Sequence, residues 1–330
     1  MVDPNRRETL SGRDEPRRVV VNDYYPVEAG WQPEKRGLYR DLYAPAWERA
    51  TDLLTEFGLD KDSFCKIESA VHEGAPRGAR EFPVVVLSPA MSIDQQMYQF
   101  LIAPFVEAGY RVVTVGATYE SMCTVYPDGE FVPHAECVKK SDLSDRNWLR
   151  HLVEIRRDDL RLVLDALQLD RVGVVGHSLG GAAVWELARD EERVKAVVLL
   201  DASLDLMTLD RSVSTPLLNM RQEADSYEEM RRMTSETAAR TYIEAQSRLH
   251  QRLNGYKSFV RVRDALHISF CDMLWVYGAH VDWQSVRHVN QAVSRAVISF
   301  YDQFLRDQEH AHDRFLLADA GRLGVLPLRL

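Results

Sequence analysis

The chain has 330 residues, 45% of them apolar and 28% charged, a mixture that can bury a sizeable core and that excludes disordered, collagen-like and repeat-array proteins. With 50 acidic residues against 41 basic ones the formal charge is -9, which disfavours a general binder of nucleic-acid backbone or anionic membrane, since both demand a basic surface. No run approaches the roughly 18 apolar residues of a bilayer span.

The first 20 residues are polar and charged without apolar periodicity, so a mobile N-terminal arm is expected there. They also lack the apolar core of a secretory signal, and a cytoplasmic location is the expectation. From residue 21 to 330 a single α/β domain is expected. VVVNDYYP at 19–26 is a candidate edge strand, and 42–58 holds a short amphipathic helix closed by Gly58. The text then alternates apolar runs with helical patterns, the signature of strand-helix-strand units on a parallel sheet. A strand at 83–88 is followed by a helix at 95–108 closed by Gly109 and a strand at 111–115; the spacing predicts a long helix over 147–169. VGVV at 172–175, VKAVVLL at 194–200, PLLNM at 216–220 and SFVRV at 258–262 read as four further strands. Excursions around 117–145 and 203–250 break this rhythm; loops of such length tend to cover a site, and 226–250 reads as a charged helical cap. Tyr119, Tyr126, Phe131, Leu206 and Met207 are candidates for a pocket wall in those excursions. Cys65, Cys123, Cys137 and Cys271 form no CxxC pair and are expected to be buried or free thiols.

Chemistry concentrates at 171–189, RVGVVGHSLGGAAVWELAR, where a strand runs through Gly176-His177-Ser178-Leu179-Gly180 into a helix. This is G-x-S-x-G in the strand-turn-helix context that gives it meaning. A serine on so sharp a turn projects above the sheet, while the following helix aims free amides at the same point. Serine is a weak nucleophile until a base takes its proton and an acid orients that base. Asp201 directly follows a strand, at the carboxyl edge where open α/β sheets build their sites; Asp205, Asp210 and Asp225 compete with it. His267, after the 258–262 strand, is the candidate base, and His280 is its rival. The amides of Leu179 and of Met91, the latter in the turn after the first core strand, are the expected oxyanion donors.

These residues resemble the platelet-activating factor acetylhydrolase and bacterial lipase and esterase group of α/β-hydrolases. The likeness spans about 83–305 and rests on GHSLGGA at Ser178, LLDAS at 199–203, LHISFCD at 266–272 and ATYESMCTVYPDG at 117–129. It implies the α/β-hydrolase fold, with a mostly parallel central sheet and helices on both faces. It also implies a triad of Ser178, Asp201 and His267, with Met91 in the oxyanion turn. The chain departs from many relatives at Ala90, where they carry glycine, and at Ser203, where they carry an aromatic. The expected chemistry is hydrolysis of an ester, lactone or thioester of a small intracellular metabolite through an acyl-enzyme, without metal or organic cofactor and without a nucleic-acid partner. Acyl transfer or cyclisation by the same triad, and non-catalytic binding on this scaffold, are the alternatives. Epoxide and dehalogenating hydrolases of this fold use aspartate where Ser178 stands.

Overall fold

The structure, a computed structural model, describes residues 1–222, 224, 226–278 and 282–328. A hairpin of β1 (Val2–Arg7) and β2 (Pro16–Arg18) leads into the central sheet. The sheet strands are β3 (Val21–Tyr24), β4 (Val84–Ser88), β5 (Arg111–Val115), β6 (Val172–His177), β7 (Val194–Leu200), β8 (Leu217–Arg221), β9 (Lys257–Val262) and β10 (Val325–Pro327). Their spatial order is β10-β9-β8-β7-β6-β4-β5-β3. The six inner strands are parallel, and only β3 and β10 run antiparallel at the edges.

Strand period two divides the apolar residues between two cores. Val86, Val113, Val174, Val197 and Leu199 face helices α3 (Arg146–Ala166) and α4 (Leu179–Ala188). Val85, Leu87, Val112, Val175 and Val198 face α2 (Gln99–Glu107) and α7 (Trp283–Leu305), while α1 (Trp47–Glu56) lies in a smaller cluster. α7 packs so closely that a Cβ on Gly173 of β6 would stand 2.3 Å from the Tyr301 ring. Among the described residues no helix is long and apolar enough to cross a membrane.

Three expectations change. Residues 1–20 are not a mobile arm. Arg17 is buried and bridges Glu8 at 2.5 Å and Asp159 of α3 at 2.6 Å, while Arg6 reaches the same Asp159 at 2.8 Å. Charges that look solvated in isolation are consumed by a carboxylate about 140 residues away. The helix expected over 95–108 starts at Gln99, because Asp272 caps it from outside, accepting the amide hydrogens of Gln99 (2.6 Å) and Phe100 (3.1 Å). The stretch at 226–250 is two helices, α5 (Tyr227–Met233) and α6 (Glu236–Arg252), with Ser226 and Ser235 as their N-caps. The predicted 147–169 helix is α3, capped by Asp145.

Candidate active site

Ser178 joins β6 to α4 with φ 54° and ψ -119°, a backbone conformation that costs a side-chain-bearing residue about 1–3 kcal/mol. The glycines around it explain how the turn closes. A Cβ at Gly176 would lie 2.3 Å from the Gly180 carbonyl oxygen, and one at Gly180 would lie 2.3 Å from the Ser88 carbonyl oxygen. Either would open the turn. The elbow is fastened to the next strand by Ser178 N–H donating to Leu200 O and Ser203 N–H donating to Ser178 O, both at 3.0 Å.

Asp201 follows β7 with φ 41°, and its carboxylate is buried. Oδ2 accepts a hydrogen bond from His267 Nδ1 at 2.6 Å; Oδ1 lies 3.1 Å from Arg221 Nη1 and accepts from the Gln222 amide at 3.3 Å. Burial pushes the Asp201 carboxyl up, but the Arg221 charge and the His267 hydrogen bond outweigh it and hold it at about 2. Because Nδ1 of His267 donates to this carboxylate, Nε2 is left as the basic nitrogen. His267 opens the short turn after β9 and its side chain is 46% exposed. The Ser178 hydroxyl makes no hydrogen bond to His267 or to another described residue. In unliganded sites that link is often long and tightens only with substrate bound.

A second polar chain runs beneath. The His267 carbonyl only accepts, so His177 Nε2 donates to it (3.1 Å). His177 Nδ1 accepts from the Tyr98 hydroxyl (3.1 Å), whose oxygen takes the Ala90 amide hydrogen at 2.7 Å. Burial, reinforced by the neighbouring His267, pushes His177 down to about 3, so this chain is neutral over the physiological range. The amides of Met91, which follows Ala90, and of Leu179, which follows Ser178, have no acceptor among the described residues. Above the acid, Arg221 lies 3.8 Å from the Tyr242 ring of α6, and the Tyr242 hydroxyl donates to Ala202 O at 3.1 Å.

Residues 148–306 match the model of the family described as alpha/beta hydrolase fold. A ferulic acid esterase from Streptomyces cinnamoneus superposes with a TM-score of 0.79 over 100% of this chain and 94% of its own, at 22% identity. The chain has the α/β-hydrolase fold. Among sequence relatives of this chain, a protein of Arthroderma benhamiae named probable 1-alkyl-2-acetylglycerophosphocholine esterase is 23% identical over 297 residues, 83% of this chain and 72% of the relative. A Mycobacterium phage D29 protein named as a candidate non-heme haloperoxidase is 29% identical over 143 residues, 43% of this chain and 41% of its own. The group resemblance drawn from the motifs is thus matched by relatives named as esterases.

The Ser178 turn, Asp201 and His267 come together at the carboxyl edge of the sheet. Of the rival acids, Asp205 pairs with Arg146 and Asp210 with Arg189; Asp225 and the rival base His280 lie outside the described residues. The pocket candidates do not share one place. Tyr119 and Phe131 border a cavity of about 520 Å³ against residues 10–13 and 132–137, with the Tyr119 hydroxyl donating to Glu15 at 2.7 Å. Tyr126, Leu206 and Met207 are buried with Leu179 in the α3–α4 core. Arg221, His177 and Tyr98 were missed by sequence reasoning. A charge ending the apolar strand PLLNMR, level with Asp201, was the available signal for Arg221, and a histidine inside the elbow was the signal for His177. Tyr98 gave none.

Proposed function

We propose that the chain is a serine esterase acting on small carboxylic esters, with lactones and thioesters within reach of the same chemistry. Ser178 Oγ attacks the ester carbonyl carbon as His267 Nε2 takes its proton. Asp201, ionised and held in place by Arg221, stabilises the imidazolium. The oxyanion accepts hydrogen bonds from the Met91 and Leu179 amides, and the intermediate collapses as His267 returns the proton to the departing alkoxide. Water, deprotonated by His267, then attacks the acyl-serine; the half-exposed imidazole favours water over another acceptor. The observation that carries this reading is the 2.6 Å His267–Asp201 bond beside a strained Ser178 elbow. The names of the fungal and Streptomyces proteins, which speak of acetyl and ferulic acid esters, support short or aromatic acyl groups as the first substrates to try. Hydrolysis of p-nitrophenyl acetate and butyrate and labelling by a fluorophosphonate should both be lost in Ser178→Ala. Equal rates in variant and wild type would reject the nucleophile.

A further inference from the structure

The Pro89–Ala90 segment offers three polar backbone groups, and a buried side chain takes each of them. Arg156 of α3, 3% exposed, donates from Nη1 to the Pro89 carbonyl and from Nη2 to the Ala90 carbonyl (3.4 Å). Its guanidinium is fixed from behind by Glu120, fully buried, which accepts from Nε at 3.1 and 3.0 Å and from Nη2 at 2.8 Å. The Tyr98 hydroxyl takes the remaining Ala90 N–H. The next amide, Met91 N–H, is the first in the turn left without an acceptor. On its other side the turn rests on Gly180, where even a methyl group would collide with the Ser88 and Pro89 carbonyl oxygens at 2.3 and 2.4 Å.

We propose that Arg156, with Glu120 behind it, and Tyr98 are positioning residues that hold the turn so that the Met91 amide is preformed as an oxyanion donor. This rests on the esterase reading above and goes beyond it by assigning residues that touch neither substrate nor triad side chains. Glu120 belongs to the ATYES stretch at 117–121, so a sequence motif with no role in the triad acquires one. Only the planar fork of arginine can reach two consecutive carbonyls and a carboxylate together; a lysine keeps the charge and loses the geometry.

A donor that is preformed acts on the transition state and leaves substrate binding alone. Tyr98→Phe and Arg156→Lys should therefore lower kcat for p-nitrophenyl butyrate about tenfold or more while KM stays within about twofold. Affinity for a trifluoromethyl ketone, whose serine adduct carries the oxyanion, should fall in step with kcat/KM. A role confined to core stability would lower the melting temperature and spare both readouts in the folded fraction. Folded variants with wild-type kcat and wild-type ketone affinity would overturn the inference. If Arg156→Lys does not fold, Tyr98→Phe, which differs by one oxygen atom, decides alone. A wild-type chain that hydrolyses no ester sinks the esterase reading and this inference with it, whereas an active wild type beside unaffected variants sinks this inference only.

Discussion

His177 provides a pH test of the polar chain under the elbow. Its ring is buried, and both nitrogens are committed in the neutral form, Nδ1 accepting from Tyr98 and Nε2 donating to the His267 carbonyl. Protonation would place a second N–H against a Tyr98 oxygen that already accepts from Ala90. The folded group titrates at about 3, against 6.5 for an ordinary histidine. Between those values the unfolded chain binds a proton that the native chain does not, so stability present above pH 6.5 is lost as the pH falls toward 3, at about 1.4 kcal/mol per pH unit. At pH 4 the loss from this residue amounts to about 3 kcal/mol, a large part of the stability of an ordinary domain. His177→Gln removes the titration. The variant should be less stable than wild type at pH 7, through lost bonds and packing, and urea unfolding should show the gap narrowing by about 3 kcal/mol at pH 4. A gap of the same size at both values would refute the reasoning.

Asp94 is buried on Tyr43 and the Cys123 amide, and burial pushes it up from 3.8 to about 7. A carboxyl raised on folding destabilises in full above pH 7 and not at all below about 4, so Asp94→Asn should gain about 4 kcal/mol at pH 8 relative to pH 4 in urea melts. A pH-independent difference would show that the carboxyl is not ionising as described. Gly180→Ala should shift the oxyanion turn away from the elbow and cut kcat about a hundredfold with the fold retained by circular dichroism, the usual loss for one oxyanion donor; activity within about threefold of wild type would show that the contact is soft.

The central sheet was legible because short apolar runs and the G-x-S-x-G turn are local signals, complete within about ten residues. Asp201 and His267 were legible for a topological reason: residues just past parallel strands arrive at the same edge. The buried ions were not. Arg17 with Asp159, Arg156 with Glu120 and Arg221 with Asp201 join residues 142, 36 and 20 positions apart, and each charge taken alone reads as a solvated surface group. The start of α2 escaped for the same reason, its cap being a carboxylate 173 positions away from the Gln99 amide. Pocket residues carry no local pattern at all: of the aromatic candidates, Tyr119 and Phe131 border a cavity and Tyr126 is buried in the core.

The amino-terminal hairpin bears on how this protein should be handled. Asp159, gripped by Arg6 and Arg17, sits one helical turn beyond Arg156 on α3, and the terminal amine itself donates to the Val19 carbonyl at 2.8 Å. Removing the first eighteen residues would strand a buried carboxylate, at about 3–5 kcal/mol, on the helix whose Arg156 holds the Pro89 and Ala90 carbonyls. What resembles packaging in the sequence is thus a brace for α3.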